Sequence, residues 1–515
     1  MKSNSRSLRA AWTLLPLHRG RRFRWGLTIL GLVFLVWSVP ESRGQLQTAP
    51  SREGAGPVVE EIFEDDFESG GCLAWSISED CPNFLVVNKE ADTDDGSCDP
   101  ADCSLREAAE AARLTPEDDV IRFSVPLVQL DSGLSWFDDS RARLGGPIRG
   151  KLTLDGALGG GNRAVILAES FVIAVGSHEV TLRDLEMRGG SASAVGAGLQ
   201  FPAEIAASVE IERCSISGFA QHGVRVLGSR VTLFETTVLN NGLSGLFVSL
   251  ELGAPSSVFV DSSRFAGNGF GGLPADREGG IEASFDSTVL IAGSTFASNR
   301  DYGVLAGSNT QVTVTDSTVS GDGSRACLET FQNGILKVVS STVQDCSVGI
   351  SMSFSLDPEP ILNSTVTRSD VGVRLAGTQD LSVVHSTITG NVVGVEAAGS
   401  ATLTLKDSIS ADNSGSDCQA SGGSIADGGG NIGDPATCGA GFTALIGSLE
   451  PLADSGGPTE TVSIEGTNAV DLIAPADCGA KVDQRGIERP QAGLCDAGSV
   501  EIEPVPVELL SFSIE

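Results

Sequence analysis

Through the middle of the chain, apolar and polar residues alternate in short runs. Each run ends in a Ser/Thr-rich step before one apolar residue, and then a turn. Aligned on that residue, the runs give Ile216, Val238, Phe265, Phe296, Val319, Val343, Val366, Ile388 and Ile409, separated by 22, 27, 31, 23, 24, 23, 22 and 21 residues. Period-two alternation marks half-buried strands, and self-similarity at a steady spacing marks a stacked array of repeats. Most copies add a Gly and a second alternating strand, as in Gly223-Val224-Arg225-Val226, Gly349-Ile350-Ser351-Met352, Gly372-Val373-Arg374-Leu375 and Gly394-Val395-Glu396-Ala397. Asn299 and Asn391 fall in the turn ahead of that Gly, where a left-handed backbone is cheapest for Asn and Gly. The pattern predicts an all-β solenoid over residues 120–413, with two or three strands per coil stacking in parallel. At about 4.8 Å per coil, roughly twelve coils would make a rod on the order of 55 Å long.

The repeat can be read column by column. Two positions before the aligned residue stand Cys214, Thr236, Ser263, Ser294, Ser317, Ser341, Ser364, Ser386 and Asp407, an inward column of small polar side chains. Cys214 replaces a serine there, which predicts a small buried thiol rather than a nucleophile. On the strand after the Gly, the outward column is Arg225, Phe247, Glu282, Leu305, Glu329, Ser351, Arg374 and Glu396. It contains no clustered pair of acids, and Arg374 beside Glu396 reads as a cross-strand ion pair. His178, His222 and His385 have no metal-ligand spacing and read as surface residues of turns. No catalytic residue is assigned from the columns. Two coils are lengthened, over residues 250–257 and 269–280, and insertions on one face of a solenoid are often where binding occurs.

Composition agrees with a turn-rich β protein: 63 Gly and a single Tyr among 515 residues. Residues 1–44 read as an export signal, with Arg19, Arg21, Arg22 and Arg24 ahead of an apolar run and Ser42-Arg43-Gly44 at the cleavage point. No later stretch is long and apolar enough to span a bilayer. Without that signal the chain holds 26 basic and 66 acidic residues, a net charge near −40. Such a charge excludes nucleic acid and anionic lipid as natural partners. Eleven cysteines in an exported chain suggest local disulfides: Cys72 with Cys81, Cys98 with Cys103, Cys327 with Cys346, Cys418 with Cys438, and Cys478 with Cys495.

Ahead of the array, a polar amino-terminal segment (45–83) precedes Ala91-Asp92-Thr93-Asp94-Asp95-Gly96-Ser97-Cys98-Asp99, then Cys103-Ser104-Leu105-Arg106-Glu107-Ala108-Ala109. Ser104 and Glu107 form a capping box, and Leu105, Ala108, Ala109 and Ala112 give the helix one apolar face, a lid for the first coil. Asp92, Asp94, Asp95 and Asp99 are weak calcium candidates, the one cofactor the sequence suggests, although no closing bidentate Glu follows them. This stretch resembles the CSLREA domain of exported bacterial proteins, which implies a cap over 84–119 followed by a right-handed parallel β-helix. Residues 414–500 carry Leu452-Ala453-Asp454-Ser455-Gly456-Gly457-Pro458-Thr459, Asp483-Gln484-Arg485-Gly486 and Cys495-Asp496-Ala497-Gly498. They resemble the choice-of-anchor Q domain, which implies a disulfide-bearing carboxy-terminal domain; by its position it should cap the far end. The tail, 501–515, shows no familiar anchor motif. The whole reads as a secreted or cell-surface protein with a non-enzymatic binding, adhesive or structural role toward an extracellular polysaccharide or another surface protein. The alternative is a polysaccharide lyase or glycoside hydrolase of the pectate-lyase-like type, betrayed by three or more carboxylates and a basic residue converging in one groove.

Overall fold

A computed structural model describes residues 82–115, 117–136, 150–168, 173–175, 179–189, 199–201, 208–250, 254–271, 277–321, 325–353, 355, 358–491 and 493–503. The chain is a right-handed parallel β-helix whose described strands form three sheets of fourteen, thirteen and twelve strands. One coil shows the plan: a long strand, Arg230–Phe234, a short strand, Thr237–Leu239, and a third strand, Leu246–Ser249, each pairing with its counterpart one coil on. The aligned apolar residues from Ile216 to Ile388 stack in register in the short-strand sheet and are fully buried. Phe265 and Phe296 lie nearly parallel there, with ring centroids 5.2 Å apart.

The column breaks at its last member. Ile388 pairs with Ser410, and Ile409 pairs with Thr387, one residue out of the expected alignment. A one-residue slip turns a side chain to the other face. Ile409 is nevertheless fully buried, because it packs among Ala469, Ile473, Cys495 and Ala497 from the carboxy-terminal region.

The same slip makes Ser408, not Asp407, the member of the small polar column. The column is a hydrogen-bond ladder. The backbone N–H of Cys214, Thr236, Ser263, Ser294, Ser317, Ser341, Ser364 and Ser386 each donates to the hydroxyl of the next coil's Ser or Thr, at 3.0–3.3 Å. Each of those hydroxyls donates in turn to the carbonyl two residues before it, at 2.7–3.0 Å. Every rung therefore satisfies a buried donor that the turn would otherwise orphan. The residue just before each ladder member takes a left-handed backbone, as at Glu235, Ser262, Asp316 and His385.

Asn299 and Asn391 have a different role from the expected one. They do not carry positive φ; the residues before them, Ser298 and Gly390, do. The asparagines instead form a second ladder: Asn241, Asn268 and Asn299, then Asn391 and Asn413, each accepting the preceding coil's turn N–H through Oδ1.

Both ends are closed. Helix Leu105–Leu114 has the predicted capping box, with Ser104 N–H to Glu107 Oε2 at 2.7 Å and Glu107 N–H to Ser104 Oγ at 3.2 Å. Its Leu105, Ala108, Ala109 and Ala112 join the core. At the far end, strands continue past residue 413 through Ile432–Gly433, and Cys438 and Phe442 complete the core. Residues 414–443 thus close the far end as expected, and from residue 444 the chain runs back along the outer face of the short-strand sheet. There Thr342 donates to Glu460 O at 2.5 Å, Thr365 to Gln484 Oε1 at 2.7 Å, and Ser499 N–H to Thr387 Oγ1 at 3.0 Å. These outward hydroxyls are fully buried, so the region is held by polar pairs that leave few orphaned groups.

Four of the expected disulfides are present: Cys98–Cys103, Cys327–Cys346, Cys418–Cys438 and Cys478–Cys495. Cys72 and Cys81 lie outside the described residues, as do residues 1–44, which the sequence reads as an export signal. Cys214 is a free, buried thiol, pushed up to about 12 by burial.

Two outcomes follow from the ladder. Ser317→Ala leaves the Ser294 N–H without its acceptor and should cost about 1–3 kcal/mol in a denaturant melt. Cys214→Ser places a hydroxyl where its neighbours already carry one, so its effect should stay within about 1 kcal/mol. The native thiol should also resist alkylation until the chain unfolds.

Candidate active site

The acidic loop near the amino cap spends its carboxylates one at a time. Asp92 forks onto Arg106 with two bonds of 2.7 Å and accepts the Asp131 N–H. Asp94 adds its charge beside the same arginine. Asp95 accepts from Ser97, and Asp99 from the Ala101 and Asp102 backbone. Among the described residues no three His, Cys, Asp or Glu side chains are gathered as metal ligands.

The two described histidines are not surface residues. His385 is fully buried; it accepts the Gly479 N–H at Nε2 and lies 3.6 Å from Asp407, under the carboxy-terminal region. His222 is also buried, with its ring stacked on Phe247 at 4.8 Å. Desolvation, then the Arg225 charge, lowers its imidazole to about 4, so it is neutral. His178 lies outside the described residues.

The outward column of the third sheet is in the predicted register throughout, from Arg225 through Phe247, Glu282, Leu305, Glu329, Ser351 and Arg374 to Glu396. Arg374 and Glu396 pair at 2.6 Å. What the column alone could not show is a second acid beside Glu282. It comes from the end of the 269–280 insertion, which returns the chain to the sheet at Gly279–Ala283. Glu278, the residue before that strand, accepts the Ser244 N–H at 2.7 Å and the Ser244 hydroxyl at 2.6 Å. Glu282 Oε2 lies 3.5 Å from the same hydroxyl. The Glu278 backbone is held from the other side by Asp301, whose carboxylate accepts its N–H at 3.3 Å.

The neighbourhood is closely fitted. Tyr302 is fully buried, and a Cβ on Gly279 would strike its ring and its carbonyl. The phenol donates to the Arg277 carbonyl at 3.0 Å, and the Ser244 hydroxyl donates to Glu278. Glu282 contacts both Ser244 and Tyr302. Contacts with the Ser244 and Tyr302 hydroxyls favour the ionised form of Glu282, but burial outweighs them. Burial first, and then the Glu278 charge, pushes Glu282 up to about 8. A carboxyl raised in this way beside a second carboxyl is the arrangement used in acid–base chemistry on glycosides.

A third carboxylate stands two rungs along the column. Glu329 Oε1 accepts from Arg277 at 3.0 Å, and Arg277 lies over the Phe331 ring at 4.3 Å. Glu329 Oε2 is buried and has no hydrogen-bond partner. Phe247, half-buried, is one rung before Glu282. Three carboxylates, an arginine and two aromatic rings therefore share one face. The insertion was visible in the sequence as a lengthened coil, but it falls outside the repeat, so no column could place Glu278 next to Glu282.

Residues 204–359 match the family described as right handed beta helix region. No curated protein matches the chain. Among solved structures the chain is similar to pectate lyase Pel9A, at 12% identity over 81% of this chain and 96% of that one, with a TM-score of 0.39. It is also similar to the periplasmic alginate epimerase AlgG, at 9% identity over 61% and 79%, TM-score 0.33. A third is the catalytic domain of a GH87 alpha-1,3-glucanase, at 11% identity over 69% and 70%, TM-score 0.35.

The raised Glu282 has a measurable signature. The folded state favours its protonated form, so the stability this contributes is complete at low pH and is lost as pH rises from the unfolded carboxyl range, near roughly 4.3, through about 8. Melting temperature should fall over that window in the wild-type protein, and less steeply in Glu282→Gln.

Proposed function

We propose that this is an exported protein that hydrolyses glycosidic bonds of an extracellular polysaccharide on the outer face of its third sheet. The observation that carries the reading is the convergence of Glu278 and Glu282 on one Ser244 hydroxyl, on a face shared with Glu329 and Arg277. Glycoside hydrolysis needs two carboxyl groups, one to protonate the leaving oxygen and one to act on the anomeric side. Glu282, partly exposed and raised by burial, suits the acid; Glu278, which accepts both Ser244 hydrogen bonds, suits the partner. Export is supported by the four disulfides, which persist in oxidising compartments.

A binding role without catalysis has one observation in its favour. Phe259 and Leu290 are exposed on adjacent rungs of the long-strand sheet, a face separate from the carboxylates. Incubating mature protein with a panel of polysaccharides separates the two readings. New reducing ends should accumulate, and Glu282→Gln should slow their release by about 10²–10⁴-fold. Adsorption to a polysaccharide with no new reducing ends, or unsaturated products in their place, would overturn hydrolysis.

A further inference from the structure

The spacing of the two carboxyl groups carries a further consequence, which rests on the hydrolase reading. Both acids reach the same hydroxyl, Glu278 at 2.6 Å and Glu282 at 3.5 Å. The two oxygens that share this hydroxyl are therefore at most about 6 Å apart, below the roughly 6.5–9.5 Å at which inverting glycosidases place a water between their acids. With no room for that water, the second carboxylate must itself meet the anomeric carbon. We infer that Glu278 is the nucleophile of a retaining hydrolase for neutral glycans, with Glu282 serving first as acid and then as base.

In the first step a Glu278 oxygen bonds to the anomeric carbon. The glycosidic C–O bond breaks, and its oxygen leaves with the Glu282 proton. In the second step water attacks the glycosyl ester. Glu282, now a carboxylate, takes the water's proton, and Glu278 departs as a carboxylate. Each cycle consumes one water and returns both side chains to their starting states. No oxidant or further reactant is needed.

Beyond the acid pair, one feature points to a ligand here. The Glu329 side chain is nine-tenths buried on the outward column, and its Oε2 is without a partner among the described residues, an acceptor suited to a sugar hydroxyl. Aromatic side chains flank Glu282 along the rod axis, Phe247 one rung before it with His222 on one ring face, and Phe331 beside Glu329 with Arg277 on one ring face. The class of glycan follows from charge. A polyuronate would bring carboxylates against Glu278, Glu329 and Asp301 on a chain whose formal charge is −33, whereas a neutral chain presents hydroxyls that carboxylates accept.

The test uses mature wild-type protein with neutral glucans, xylan and mannan beside polygalacturonate and alginate. The first sugar anomer released from the cleaved substrate is read by proton NMR, and methanol is added as a competing acceptor. Expected are cleavage of a neutral glycan, retention at the anomeric carbon, and a methyl glycoside of the same configuration. Glu278→Ala should lose on the order of 10³-fold or more in rate, and sodium azide should restore turnover by forming a glycosyl azide of opposite configuration. Cleavage with inversion, no methyl glycoside, or cleavage confined to the polyuronates would overturn the inference and leave hydrolysis standing. If no polysaccharide is cleaved at all, the hydrolase reading falls, and this inference with it. The NMR and methanol readouts need no variant, so the outcome does not depend on how well Glu278→Ala folds.

Discussion

One hydrogen bond, repeated from coil to coil, is what the rest of the molecule depends on. At each turn after a long strand, the chain swings through a left-handed residue and leaves a buried N–H facing along the rod axis. A strand ladder cannot reach that donor, so a side chain from the next coil must accept it. Ser and Thr do so while passing their own proton to a local carbonyl; the asparagines do it at the opposite turn with an amide. The apolar interior can tolerate Val, Ile or Phe in one column, but the small polar columns tolerate little else. Cys214, the smallest departure from the rule, keeps the same pattern with sulfur: its Sγ faces the Leu185 N–H of the preceding coil and donates to the Glu212 carbonyl two residues before it at 3.3 Å.

A scaffold so regular has few places to concentrate charge. Along the outer column, successive side chains are one strand spacing apart, and the repeat alternates signs or inserts neutral residues between acids. Bringing Glu278 against Glu282 required leaving the repeat. The end of the insertion does this, with Glu278 pinned at Ser244 from one coil and at Asp301 from the next. Its two attachment points belong to the rigid stack rather than to the loop, which fixes the Glu278 carboxylate as firmly as a strand residue.

Much of the stack is legible in the sequence because burial has one period there. Eight aligned apolar residues, the outward column through Glu396, the capping box and four cysteine pairs all follow from local pattern. The failures share a cause: a partner from outside the coil. Ile409 looks like a core residue and is buried, but against the carboxy-terminal region, on the other face. His385 and His222 look like turn residues, yet Gly479 covers one and Phe247 stacks on the other. The asparagines look like left-handed turn formers, and their true task becomes visible only when two coils are superposed. Glu278 is the most consequential miss, since neither a column nor a motif contains it.

The region after residue 443 gives the rod a property that stacking alone would not. A solenoid frays from its ends, one coil at a time, because each coil holds on to its neighbours only. Here a single segment crosses the outer face and touches Thr342, Thr365, Thr387 and Ile409, which lie on four successive rungs. The last coil therefore cannot unwind while that strap stays docked. The strap is held in turn by a disulfide between Cys478 and Cys495 and by Arg489 buried against Glu501. Unravelling becomes a matter of releasing several coils together, and a protease that waits for a loosened coil would find the last rungs fastened.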